Sequence, residues 1–183
     1  MNKPFFLLAL LVGTSLGAWG QDFKRHAFGV QAGAYDFNAD LTGWGFANGI
    51  QYSYGFNPHI STSFFLQNAY GERTKDTLIP PDYDSRIAGG WTLNGSLYGQ
   101  QSPFDLTFQA GLLYGRTVRM QYNAECPTPP YSTYQSTGMG IVLGAGGIYR
   151  FGDWGLGVQN QTTVDWKTQD VRAGWYLHLE HRF

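Results

Sequence analysis

The sequence predicts an all-β fold, an eight-stranded antiparallel up-and-down transmembrane β-barrel. Three observations predict it. Apolar and polar residues alternate with period two over eight segments, and successive strand side chains point to opposite faces. The connections between segments alternate between short and longer. Every proline beyond the N-terminal stretch falls in a connection (58, 80, 81, 103, 127, 129 and 130), as expected where each strand donates on both edges.

The segments follow in order. Residues 26–37 set Phe28, Val30, Ala32 and Ala34 against Gly29, Gln31, Gly33 and Tyr35. Residues 44–56 carry Trp44, Phe46, Ile50, Tyr52, Tyr54 and Phe56 on one face and small or polar residues on the other. Residues 60–72 place Ile60, Phe64, Leu66 and Tyr70 opposite Ser61, Ser63, Gln67 and Gly71. In 86–98, Ile87, Trp91, Leu93 and Leu97 oppose Arg86, Thr92, Asn94 and Ser96. Segment 104–118 sets Phe104, Leu106, Phe108, Leu112 and Tyr114 against Asp105, Thr107, Gln109 and Gly111. Segment 137–151 carries Met139, Ile141, Leu143, Tyr149 and Phe151 against Gly138, Gly140, Gly144 and Arg150. Segment 154–165 has Trp154, Leu156, Val158 and Val164 against Gly155, Gln159, Gln161 and Asp165. The last, 171–183, alternates Val171, Ala173, Trp175, Leu177, Leu179, His181 and Phe183 with Arg172, Gly174, Tyr176, His178, Glu180 and Arg182.

The bulky apolar face must meet lipid. Eight strands enclose a bore that side chains just fill, and the set of Gly, Ala, Ser, Thr and Gln fits there while the Trp, Phe, Tyr and Leu set would overfill it. That argues against the alternative of a secreted, soluble, lipocalin-like carrier, whose apolar face points inward. Aromatics near both segment ends match the two interfacial girdles of membrane barrels. Short connections (57–59, 99–103 and 152–153) belong on the periplasmic side and longer ones (38–43, 73–85, 119–136 and 166–170) outside.

Residues 1–20 read as a secretory signal: Lys3, an apolar run from Phe5 to Val12, and small residues Ala18 and Gly20 before Gln21. Residues 21–183 then form one barrel domain. A formal net charge of −1 gives no basic footprint for nucleic acid. Cys126 is the single cysteine, which rules out an intramolecular disulfide.

With these segments the chain resembles the small eight-stranded outer-membrane proteins, OmpX-like or like the transmembrane part of OmpA, over about 24–183. The resemblance implies a monomer in the cell outer membrane, contacting lipid and the barrel assembly machinery. In that group the terminal aromatic strand is the assembly signal, here Trp175, Leu177, Leu179 and Phe183.

Five charged residues are expected to plug the bore: Asp105 and Arg150 near the 99–103 turn, and Glu180 and Arg182 approaching Arg25 across the closing seam. Lipid A-modifying enzymes share the architecture and form the catalytic alternative. His59-Ile60-Ser61 followed by Glu72 has the spacing of the deacylases, but His59 and Glu72 would lie roughly 40 Å apart along one strand. The palmitoyltransferases' N-terminal helix has no room in 21–25. His178 and Glu180 share a face without a third metal ligand. No catalytic residue, metal or cofactor is therefore expected. Loops 73–85 (with Asp76, Asp82 and Asp84) and 119–136 (with Cys126) remain as candidate surfaces for an extracellular partner.

Overall fold

A computed structural model of the chain describes residues 24–36, 44–73, 81–99, 101–123, 131–167 and 171–183. The expected signal, the tips of all four long loops, Asp76 and Cys126 lie outside the described residues.

Eight strands are present: β1 (His26–Asp36), β2 (Trp44–Asn57), β3 (Ile60–Arg73), β4 (Asp82–Ser96), β5 (Phe104–Tyr122), β6 (Tyr131–Phe151), β7 (Trp154–Asp165) and β8 (Val171–Arg182). Each pairs antiparallel with its sequence neighbour, and β8 closes on β1. The seam runs from Ala27 opposite Arg182 to Tyr35 opposite Gly174. Phe183 extends it, exchanging backbone bonds with His26 at 2.9 and 3.3 Å. No strand edge is therefore left open within the closed part of the wall, which is how a sheet can stand in lipid.

The faces lie as the alternation predicts. Leu66, Trp91, Leu112, Tyr149, Leu156, Trp175 and Leu177 project outward and are exposed. Ser63, Gln67, Thr92, Asp105, Gln109, Gln161 and Thr163 point in and are buried. Phe56, Phe104, Phe151, Trp154 and Phe183 mark the short-turn rim, and Tyr70, Tyr114 and Trp166 the opposite one. An inward apolar face, as a soluble carrier would have, is not what this wall shows. Short turns form where the sequence permits them. Asn57 caps the β2–β3 turn, its Oδ1 accepting from His59 N and Ile60 N at 2.8 Å each. Gly152 adopts φ 61° in the two-residue β6–β7 turn, a conformation that glycine takes without a Cβ penalty.

Two features depart from expectation. The bore is not filled by small and polar residues alone. Phe65, Leu113 and Val142 form a buried apolar cluster inside it, and Tyr35 and Tyr176 pack with Ala47 and Ala69 in a second. Room for Phe65 comes from Gly90 on the next strand, where a Cβ would sit 2.6 Å from the ring. The long-loop side also contains more strand than expected. β4 begins at Asp82, β5 runs on to Tyr122 and β6 starts at Tyr131. Asp82 and Asp84 are therefore buried strand residues and not loop acids, and most of the described part of 119–136 is β-ladder.

Candidate functional site

The bore carries two polar clusters. The first lies at the short-turn end, where four of the five expected plug residues meet. Asp105, fully buried near the start of β5, accepts from Arg150 Nη1 at 2.9 Å, from Tyr98 N at 3.0 Å and from the Ser96 hydroxyl. Arg150, from the end of β6, also reaches the Gly99 carbonyl at 3.3 Å. Its Nε faces Glu180 at 3.7 Å, and Arg182 Nε faces the same Glu180 oxygen at 3.8 Å. His178 Nε2 lies 3.6 Å from the other Glu180 oxygen. Two guanidiniums, two carboxylates and an imidazole thus neutralise one another where water is scarce, which makes burying them tolerable. Arg25 lies one residue before β1 and is half-buried, its carbonyl accepting from Gly55 N at 2.7 Å.

The sequence places this cluster because all its members lie within four residues of a strand end. Register does the rest: Asp105 is opposite Ile148, two residues from Arg150, and Gly155 is opposite Glu180. A cavity of about 90 Å³ lies between this group and Gln51, Ser53, Asn94 and Gln109.

The second cluster, toward the long loops, contains residues to which the alternation assigns no role. Arg86 donates to the hydroxyls of Tyr35 and Thr163, the latter at 2.9 Å. Gln67 donates to Gln161 at 3.3 Å. Above them Arg119 Nε pairs with fully buried Asp84 at 3.0 Å. Arg172, also buried, donates to Thr117 Oγ1 at 3.1 Å. Here Arg86 is met by two hydroxyls, while Arg119 is met by a carboxylate. The usable signal is parity: Arg86 and Arg172 already fall on the inward face of the segments read from sequence, and Arg119 joins them once β5 is extended to Tyr122.

The His59–Glu72 pairing of the deacylase reading does not form. His59 sits in the β2–β3 turn, with Nδ1 3.0 Å from the Ser96 carbonyl oxygen, while Glu72 lies near the far end of β3. Among the described residues no group of three metal-ligating side chains gathers, so the His178–Glu180 pair stays part of the ionic cluster.

At the short-turn rim His26 ties the seam to the aromatic girdle. Its Nδ1 is 2.6 Å from the Tyr52 hydroxyl and its ring stacks on Phe183 at 5.8 Å. In the neighbouring turn Asp153 pairs with Lys24 at 2.6 Å. That bond holds the carboxyl below its ordinary range, against a smaller opposing effect of desolvation.

No family model matches the chain and no curated protein matches it in sequence. Solved structures do match in fold. Neisserial surface protein A is 18% identical, with a TM-score of 0.61 over 86% of this chain and 96% of its own. The outer-membrane protein OprG of Pseudomonas aeruginosa is 10% identical, with a TM-score of 0.60 over 87% and 97%. Ail of Yersinia pestis, in complex with the heparin analogue sucrose octasulfate, is 12% identical, with a TM-score of 0.56 over 87% and 97%. The chain thus has the fold of the small eight-stranded outer-membrane barrels. With its outward apolar belt, it is an outer-membrane β-barrel.

Proposed function

We propose that this protein is a non-enzymatic, monomeric barrel with a closed bore, whose role is to hold an interaction surface outside the outer membrane. One observation carries the reading. β5 and β6 have 19 and 21 residues against 12 for β7 and β8. The β6–β7 ladder begins only at Gly140 opposite Asp165, with one further bond from Trp166 N to Met139 O. Along 131–138, β6 pairs with β5 on one side and with no described residue on the other. About 26 Å of β6 edge thus has no ladder partner among the described residues, and such backbone groups can pair with an extended segment of another protein.

The closed bore rests on the ionic cluster at one end, the Arg86 network toward the other and the Phe65 cluster as an apolar layer. A non-enzymatic role rests on the separation of His59 from Glu72 and on the engagement of His178 and Glu180 with Arg150 and Arg182. The terminal strand, Trp175 to Phe183, would be read by the assembly machinery before the seam forms.

The test shortens the flange without shifting its register, by deleting 119–122 together with their partners 131–134. Attachment of expressing cells to protein-coated surfaces should fall to the level of cells lacking the protein, at an unchanged folded amount in the membrane. Attachment equal to that of the intact chain would sink the interaction reading. Planar bilayers should give no steady conductance steps, and expression should leave lipid A acylation unchanged.

A further inference from the structure

We infer that the extracellular mouth of the barrel is a binding site for a single uncharged sugar ring. The site uses side chains of the inner wall and not the backbone of the β6 edge, so point substitutions test it while the strands stay at full length, whereas deleting 119–122 and 131–134 removes both. A cavity of about 230 Å³ opens there, lined by inward side chains of β5 to β8, among them Tyr134, Arg119, Gln121, Ser136, Asp165 and Arg172. It is smaller than the roughly 300–1,000 Å³ typical of clefts for drug-sized ligands, so one ring fits and a longer chain would extend outward.

The chemistry of the lining selects the class. Tyr134 is 58% exposed and presents a rigid aromatic face, on which the C–H side of a pyranose can stack at low entropic cost. Across the ladder it stands opposite Arg119, as Ser136 stands opposite Thr117. Around it, Gln121 and Ser136 offer donors and acceptors together, matching hydroxyls that both give and take hydrogen bonds. The charged members are fixed from behind. Asp84 holds Arg119 at 3.0 Å, Thr117 holds Arg172 at 3.1 Å, and the Lys167 amide donates to Asp165 at 2.8 Å. Gly138 gives the Asp165 carboxylate its place, since a Cβ there would meet both oxygens at 3.2 Å.

Arg119 is paired with Asp84, and Arg172 shares the lining with Asp165, so these four side chains carry equal numbers of positive and negative charges. What remains is a preorganised set of planar polar groups beside an aromatic face. Such a set favours a polyhydroxyl ring because its orientation is established before the ligand arrives. The ring could belong to the cell's own surface lipopolysaccharide or to a free glycan.

Saturation-transfer NMR on the full chain in lipid nanodiscs tests this, with the methyl α-glycosides of glucose, galactose and mannose as probes. At least one should receive saturation. Tyr134→Ala should reduce that signal about tenfold and Tyr134→Phe should retain it, with the barrel's heat-modifiable migration unchanged in both. Gln121→Ala should weaken binding by several-fold through a different contact. Stronger competition by purified lipopolysaccharide than by a free oligosaccharide would assign the ring to the cell's own surface, and the reverse to an outside glycan. Three silent glycosides, a signal untouched by Tyr134→Ala, or binding of sucrose octasulfate without any glycoside would overturn the proposal.

Discussion

The two ends of the bore bury arginine in different ways. At the short-turn end Arg150 and Arg182 flank Glu180, with Asp105 behind, so charge is cancelled by charge. Toward the outside Arg86 is met by the hydroxyls of Tyr35 and Thr163, so charge is solvated by dipoles. The first arrangement is tightly coupled, because each ion depends on a partner that is itself buried. The second spreads the load over neutral groups that tolerate each other's loss. A closed barrel needs the first where turns are short and the wall is fixed. The second suits the end where the strands run on into solvent.

The largest effect that separates the ends should come from Asp105→Ala. It removes the main carboxylate beside Arg150 together with acceptors for Ser96 and the Tyr98 amide. Breaking a buried pair from one side typically costs about 3–5 kcal/mol, because the remaining charge is stranded. Urea unfolding in lipid vesicles should show a loss of about 3 kcal/mol, partly relieved by Glu180. Removing both partners, as Asp105→Ala with Arg150→Met, should cost less than Asp105→Ala alone. If the double variant is the less stable one, the ends do not differ in the way described.

Arg86→Met should come next. It keeps the aliphatic volume and removes donors to two hydroxyls that can turn toward Gln67, Gln161 or a water. Hydrogen bonds to charged groups contribute about 1.5–3 kcal/mol each, and the hydroxyls' freedom to re-pair brings the expected net loss to about 1–2 kcal/mol. The same unfolding experiment checks it. A loss as large as that of Asp105→Ala would mean that the outer end is as tightly coupled as the inner one.

The same contrast explains what could be read from the sequence. Within the lipid the outward face must be apolar, so Leu106, Phe108, Leu112 and Tyr114 declare β5 and its phase. Beyond the lipid that constraint ends. In 82–86 and 131–137 the outward positions are Tyr83, Ser85, Tyr131, Thr133, Gln135 and Thr137, and the period-two signal disappears although the ladder continues. The strands therefore looked shorter than they are, and Asp82 and Asp84 passed for loop residues. Arg119 and Arg172 shared that obscurity. Arg119 lay past the visible end of β5, and Arg172, at the start of β8, meets Thr117 across the bore from a strand that is not its sequence neighbour, which alternation alone does not show. Phe65, Leu113 and Val142 were hidden for another reason. Their apolar neighbours on both sides read as part of the lipid face, and which of two adjacent large residues turns inward depends on space left by Gly90 across the ladder. Tyrosine was the remaining clue, since Tyr70, Tyr83, Tyr122 and Tyr131 form a chain of ring contacts of 5.6–6.4 Å over four strands.

The smallest expected effect lies outside the bore, and it shows what an ion pair does when water is present. Lys24 and Asp153 are both exposed, and pairing at 2.6 Å holds the carboxyl below its ordinary range. A carboxyl whose folded value is depressed adds stability above its unfolded value and loses that contribution as pH falls through the folded one. Lys24→Gln should therefore leave the neutral-pH midpoint nearly unchanged, because exposed pairs are screened by solvent and salt. What should move is the titration itself. Followed by NMR of the Asp153 side chain, it should shift upward in Lys24→Gln, and in the parent at 1 M salt it should move in the same direction. The difference in stability between parent and variant should vanish below the folded titration point. An unshifted Asp153 titration would place the cause with His181 and Arg182, and would tie this turn to the ionic cluster instead of to the solvent.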